Sequence, residues 1–291
     1  MTRSPLEDHL AELLDANRAW GKAHQLLSPI WAGNPNTPRY VSKRVAIRLL
    51  EIAEQRSDLL LGMSLMNAGE TGIAAHSLKV ASVMSGLCTY LGLSPRHRLD
   101  SVMTALLHHL GQSTGVVGQQ STSAVAQRSL MALLLSKHSD EGHYRQVLGA
   151  FQHGLTMDGT GVPKMDFPVK QHPISLLLTV ANDFIELCAD SVAGMDINDA
   201  LQHMSVQAGK RYHPNLISLL KRVVGPAPVG SVLQLKSGEQ LLVTQYTASD
   251  DDWTLETVAL SARVEMRRLK DLSLIHSRIQ PKQVFEVFNA V

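Results

Sequence analysis

From Val41 to Val224 the apolar residues of this chain recur at about every third or fourth position. Past Gly225-Pro226-Ala227-Pro228 they recur at every second one. A period near 3.6 buries one stripe of a helix, and a period of two buries one face of a sheet. The two stretches therefore predict different architectures: a multi-helix bundle over residues 41–224, and a small β appendage with a tail over 225–291. The fold class expected is mainly α. Hydrophobic residues make up 44% of the 291 positions and aromatic ones only 4%, so the helices should pack chiefly through aliphatic side chains.

Local signals fill in the elements. Ser4-Pro5-Leu6-Glu7 joins an N-cap serine, a proline at the first helical position and a capping-box glutamate, which starts a helix expected to reach about Leu27. Ser28 to Tyr40 contains Pro29, Pro35 and Pro38 and reads as a linker, so residues 1–40 form an N-terminal helix and linker. Helical spacing continues through Val45 to Leu65 and through His76 to Leu91, where Gly92 ends it. Ser94-Pro95 starts another helix leading to His108-His109. Further helices are predicted near Val125–Lys137, His143–His153, Pro173–Ala189, Ile197–Gly209 and Asn215–Val224. Ser231–Leu235 and Leu241–Tyr246 read as a hairpin about Lys236-Ser237-Gly238-Glu239, with Trp253–Val258 as a third strand. Asp250-Asp251-Asp252 reads as a solvated turn. In the basic tail, Leu269, Leu272 and Ile275 suggest the apolar stripe of a surface helix.

The charges nearly cancel, 27 Lys and Arg against 26 Asp and Glu, so no field of one sign draws in nucleic acid or an anionic surface. Cys88 and Cys188, the only cysteines, lie in apolar stretches and read as small buried hydrophobes, as in a reducing cytoplasm. No apolar run approaches the roughly 20 residues that span a bilayer. The expectation is a cytoplasmic protein that neither enters a membrane nor binds nucleic acid.

The segment from Gln152 to Pro163 contains Asp158-Gly159-Thr160-Gly161-Val162-Pro163, which alone marks only a tight loop. Four other stretches give it context: His76-Ser77-Leu78-Lys79-Val80, Leu106 to Gln112, His172 to Asn182, and Gly209 to Pro214. In order and spacing they resemble the HSxRVA, LLHDIGK, HPFARIVAVAD and GKKFDP segments of the HD-GYP family, whose loop reads HHExxDGxGYP. Pro228 to Val232 with Ser237-Gly238-Glu239 is similar to the hairpin that often follows such domains. The resemblance spans about Val41 to Tyr246 and implies an HD-type helical bundle.

It also implies an activity. Enzymes of this family hold two or three iron or manganese ions with His and Asp ligands, which direct a metal-bound hydroxide at cyclic di-GMP. Carried over position by position, His76, His108 and His153 stand at metal-ligand places. Elsewhere the pattern departs. His109 replaces the Asp of the His-Asp pair, Gly154 and Leu155 replace the second His and the Glu of HHE, and Asn182, beside Asp183, replaces the late Asp. The middle His falls near Gln127, and His138, the nearest histidine, is too close to His153. Gln112, Leu176 and Val162 stand where Lys, Arg and Tyr would handle phosphate.

Two cations about 3.5–4 Å apart need anionic bridges, and neither His109 nor Asn182 is one. The first expectation is thus a vestigial site of His108, His109, Gln112, His153, Asp158, Asn182 and Asp183, without cofactor. Its histidines would bond to carbonyls or water, in a domain that signals through contacts with other proteins. The second is a metal-dependent phosphohydrolase with one zinc, iron or manganese ion on His76, His108 and His153, with His109 as a further ligand. A third is a sensor that binds cyclic di-GMP without cleaving it, with Lys164 and Lys170 as the nearby cations.

Overall fold

Helix starts in this chain are set by a capping side chain followed by proline. Ser94, His172 and His213 each cap the helix that follows, and Pro95, Pro173 and Pro214 occupy the first turn, where a missing N–H costs nothing. The structure is a computed structural model and describes residues 5–31, 38–67, 70–113, 122–135, 141–167, 169–189, 194–249, 252–260 and 266–279. Its helices are α1 (Pro5–Trp31), α2 (Pro38–Met66), α3 (Ile73–Tyr90), α4 (Pro95–Leu107), α5 (Thr122–Leu135), α6 (Glu141–Gln152), α7 (Pro173–Cys188), α8 (Ile197–Val206) and α9 (Pro214–Val224). A single 3₁₀ turn, Leu110–Ser113, follows α4.

Helix α3 is the axis of the bundle, because it is buried on every side from Ala74 to Cys88 except at His76. Leu78, Met84 and Leu87 of α3 join Leu60 and Met63 of α2, Leu106 of α4 and Phe184 of α7 in one core. Trp20 and Leu27 bring α1 into it. Two of the buried serines of α3 return their hydroxyls to the helix: Ser82 donates to the Leu78 carbonyl and Ser85 to that of Ala81. The fully buried Lys79 donates from Nζ to the carbonyls of Glu70 (2.8 Å) and Ala189 (3.3 Å), tying the start of α3 to the end of α7.

Five antiparallel strands follow: β1 (Val232–Leu235), β2 (Gln240–Ser249), β3 (Asp252–Ala259), β4 (Met266–Leu269) and β5 (Ile275–Ile279), in the order β4-β3-β2-β1-β5. The β1–β2 hairpin pairs Leu233 with Leu241 around Gly238, whose φ of 86° suits glycine. Leu233, Leu241, Val243, Leu255 and Leu269 make a second, smaller core. Among the contacts that hold the sheet to the helices, three stand out. Val229 packs so closely on Gly62 that a Cβ there would lie 2.7 Å from its carbonyl oxygen. Tyr246 donates its hydroxyl to the Val223 carbonyl, and Arg56, at a non-helical kink in α2, donates to the Thr244 carbonyl at 2.8 Å.

Two expectations are corrected here. α1 runs through Pro29 to Trp31 rather than ending near Leu27, because fully buried Leu27 anchors its last turns in the core. The tail stripe of Leu269, Leu272 and Ile275 is not one α-helix: Leu269 ends β4, which pairs with β3, Leu272 opens a 3₁₀ turn (Leu272–Leu274), and Ile275 opens β5, which pairs with β1, so that all three pack on the sheet core. Of the three consecutive aspartates, Asp252 opens β3; Asp250 and Asp251 lie outside the described residues, as does His138. Both cysteines are free, and burial pushes each thiol up to about 12, in keeping with small buried hydrophobes. No described helix is long and apolar enough to cross a membrane.

Candidate functional site

The histidines singled out by the sequence converge at one end of the bundle. α4 stops at Leu107, and His108 and His109 occupy the turn before the 3₁₀ segment. That turn is pinned by Ser129, which donates to the His108 carbonyl and accepts from Gly111 N–H, both at 2.8 Å. In a continuing helix, neighbouring side chains diverge by about 100°. In this turn the two rings instead lie 3.9 Å apart between centroids. His76, near the start of α3, stacks on His109 at 4.8 Å with an interplanar angle of 9°. One ligand nitrogen from each of His76, His108 and His109 falls within 4.8 Å of the others. His153, just past the end of α6, stands edge-on to His108 and His109 at 5.2 and 5.5 Å and lies outside that group.

Asn182 on α7 completes the arrangement. Its Oδ1 lies 3.0 Å from His76 Nε2 and 3.2 Å from His108 Nε2, and those two nitrogens are 3.3 Å apart. The orientation of the amide is fixed from behind, because its Nδ2 donates to Asp183 Oδ1 (3.2 Å) and Glu186 Oε1 (3.0 Å). Turning the amide over would set an oxygen against two carboxylates.

The tautomers are constrained as well. His108 Nδ1 donates to the Ala105 carbonyl at 2.7 Å, so the neutral ring carries a lone pair on Nε2. Burial, then the neighbouring His153 and His76, pushes His108 well below the ordinary histidine value. His109 is pushed down the same way, by burial and then by His108, His76 and His153. Burial also lowers His153, against its Nδ1 bond to the Ala150 carbonyl and the charge of Asp183. A protonated His108 is thereby excluded near neutral pH. His76 Nε2, His108 Nε2 and Asn182 Oδ1 thus face one point, with lone pairs of His108 and Asn182 directed into it.

That donor set fits one cation and not two. Bonds of roughly 2.0–2.1 Å from a tetrahedral ion hold its ligands about 3.3 Å apart, which is the spacing found here. Among the described residues no carboxylate joins the group. Asp183 is turned the other way, its Oδ2 accepting from Arg211 Nε (2.6 Å) and the Tyr212 hydroxyl (2.8 Å). A bridge for a second ion is missing.

The remaining sequence candidates fall elsewhere. Asp158 is exposed in the 154–163 loop, where its Oδ1 accepts from both hydroxyls of Thr156 and Thr160 at 2.7 Å. Those bonds hold its carboxyl at about 2. Gly161 packs so tightly in that loop that a Cβ would lie 2.4 Å from the Gly154 oxygen. Leu155 is buried, and Gln127 is exposed on α5. Gln112 is half-buried beyond the His109 turn, Leu176 lines a different cavity, and Lys164 and Lys170 are exposed. The sequence reading missed Glu186, Arg211 and Tyr212, which hold Asn182 and Asp183; the four-residue step from Asn182 to Glu186 on a predicted helix was the available signal.

The helical bundle has an HD-GYP-like fold. Its likeness to a solved structure carries that statement: Bd1817, an HDG"Y"P protein from Bdellovibrio bacteriovorus, aligns over 72% of this chain and 71% of its own with a TM-score of 0.60 and 17% identity. The structure of a cyclic GMP-AMP specific phosphodiesterase of V. cholerae, V-cGAP3, aligns over 58% of this chain and 48% of its own at 18% identity and a TM-score of 0.38. Neither a protein family nor a curated protein matches the sequence.

Proposed function

We propose that this HD-GYP-like domain does not hydrolyse cyclic dinucleotides through a bridged metal pair and works instead as a cytoplasmic regulatory module, through contacts with signalling proteins. The observation that carries this reading is Asn182: a neutral amide, held by two carboxylates behind it, stands where a bridging carboxylate would have to be. A neutral carbonyl offers a single weak donor and offsets none of the repulsion between two dications. The surroundings agree, since Gln112 and Leu176 supply no cation for a phosphate and Lys164 and Lys170 point to solvent. Purified protein incubated with cyclic di-GMP and manganese, iron or zinc should leave the nucleotide intact. Hydrolysis that disappears in His108→Ala would overturn the proposal.

A second reading, a metal-dependent phosphohydrolase with a single ion, is favoured by the convergence of His76, His108 and Asn182 at ligand spacing. One such ion, when bound, would lower the pKa of a coordinated water. His76, His108, His109 and Asn182 would hold it, and the Ala105 carbonyl would orient His108 for it. Metal analysis after incubation with zinc, iron and manganese salts should then find close to one ion per chain, lost in His76→Ala. Absence of stoichiometric metal in the native chain would sink this reading.

A further inference from the structure

Away from the histidine cluster, the starts of α4, α7 and α9 meet around a cavity of about 590 Å³, a volume typical of small-molecule sites. Its lining is mostly aliphatic, including Leu93, Leu176 and Leu216. Its polar members include His97, Arg145, His172 and His213, and among the described residues no aspartate or glutamate lines it.

Two of its histidines are alike in sequence and in role. His172 precedes Pro173 and His213 precedes Pro214, and each caps the helix it begins. His172 Nδ1 accepts from Ile174 N–H at 3.2 Å and His213 Nδ1 from Asn215 N–H at 3.3 Å. An imidazole whose Nδ1 accepts a hydrogen bond carries its neutral proton on Nε2. Both rings therefore present an Nε2–H donor for which no described residue supplies an acceptor.

The balance of charge narrows what those donors recognise. Arg145 is matched within the protein, by Asp100 at 2.6 Å and Glu141 at 2.8 Å, so the cavity offers neutral donors and apolar surface with little net charge. A polyphosphate would stay uncompensated there, whereas a monoanion with an apolar body would be matched at both ends. Burial, then Arg145 and His97, holds His172 below the ordinary histidine value, in keeping with a neutral ring that donates from Nε2.

We propose that this cavity binds a small amphipathic carboxylic acid, its carboxylate accepting from His172 and His213 and its apolar body lying along Leu93, Leu176 and Leu216. The proposal is independent of any metal at the histidine cluster.

Calorimetry on the full chain with sodium decanoate, decan-1-ol and decylamine, each kept below its aggregation threshold, tests it. Decanoate should bind one per chain and at least about tenfold tighter than either analogue, the discrimination expected of charge-assisted donors. The acid variant Leu176→Glu, and the double variant His172→Asn with His213→Asn, which keeps capping oxygens but not the ring donors, should each weaken decanoate about tenfold. The double variant should leave decan-1-ol unchanged. Decan-1-ol or decylamine binding as tightly as decanoate would overturn the proposal, as would decanoate weaker than about 1 mM on the native chain. Thermal unfolding checks that each variant is folded; where one is not, the three-ligand comparison on the native chain decides alone.

Discussion

Asn182→Asp tests the account of the histidine cluster through the dependence of its effect on metal. In the native chain the Asn182 amide donates backward to Asp183 at 3.2 Å and Glu186 at 3.0 Å and faces His76 and His108 with its oxygen. Aspartate has no N–H to give, so both bonds are lost and three carboxylates crowd together. Loss of the buried bond to Asp183 alone costs about 1.5–3 kcal/mol, because the acceptor is charged. At roughly 2–4 °C per kcal/mol for a chain of this size, the unfolding midpoint in a chelator should fall by about 4–10 °C.

With a cation present the same substitution should recover most or all of that loss. A unit charge at ~4 Å and an effective dielectric near 20 is worth about 4 kcal/mol, and repulsion from Asp183 and Glu186 takes back part of it. A net gain of about 2–3 kcal/mol corresponds to roughly hundredfold tighter zinc binding, and at a fixed excess of zinc it appears as about 2.7 kcal/mol of added stability. Differential scanning calorimetry of both chains, in EDTA and in zinc, reads the loss and its recovery directly. If the EDTA midpoint of Asn182→Asp equals the native one, or if zinc raises it no further than it raises the native chain, the account of Asn182 is wrong.

Three further outcomes follow from the same geometry. His108, His109 and His153 have folded values below the ordinary 6.5, so the unfolded chain takes up protons first as the pH falls; in EDTA, stability should be full above about pH 6.5 and drop below it by up to roughly 4 kcal/mol per pH unit, measurable by urea titration at several pH values. Arg56→Ala removes the partner of buried Asp58 (3.0 Å) together with bonds to Glu12 and the Thr244 carbonyl, and should cost about 3–5 kcal/mol in urea unfolding. Arg56→Lys should recover little of that, because a single ammonium cannot reach all three groups. Gly161→Ala drives a Cβ into the Gly154 carbonyl and the Thr156 nitrogen, and should lower stability by about 2–4 kcal/mol while Gly159→Ala, strained only by its φ of 77°, costs about 1 kcal/mol, as thermal unfolding would show.

Much of this was legible in the sequence because it is local. Caps such as Ser94-Pro95 and His172-Pro173 mark helix starts within a residue or two, and Gly238 marks the first hairpin. The tail was misread because Leu269, Leu272 and Ile275 match a helical stripe as well as they match two strands; only pairing with β3 and β1, fixed by chain far away, decides between them. In the site, motif order singled out His76, His108 and Asn182, since each sits on a strongly patterned helix or at its end. Motif order also put His109 beside His108 as a further ligand, but nothing local shows that its ring turns toward His76. Its convergence with His76 depends on α4 stopping at Leu107, and the sequence reading carried the helix on through His109. Nor could spacing show that Asp183 turns toward Arg211 and Tyr212, because adjacent residues on α7 face different neighbours and those neighbours follow α8.

These placements bear on how a cluster without carboxylates can hold a cation. A cation held only by imidazoles and an amide oxygen would keep its full charge in a half-buried site, at a heavy cost in solvation. Here the compensating charge stands one layer back. Asp183 and Glu186 bond the Nδ2 side of Asn182, polarising its oxygen toward His76 and His108, and Asp183 is itself balanced by Arg211. Charge relayed through an amide can offset one cation, but it offers no anionic atom for two ions to share. On this reasoning Glu186, which accepts from the Asn182 amide, should matter to metal affinity. Glu186→Gln should weaken zinc binding severalfold while changing the unfolding midpoint in EDTA little, because the glutamine oxygen can still accept from Asn182. Zinc titrations that leave native and Glu186→Gln affinities equal would show that the relay carries no charge.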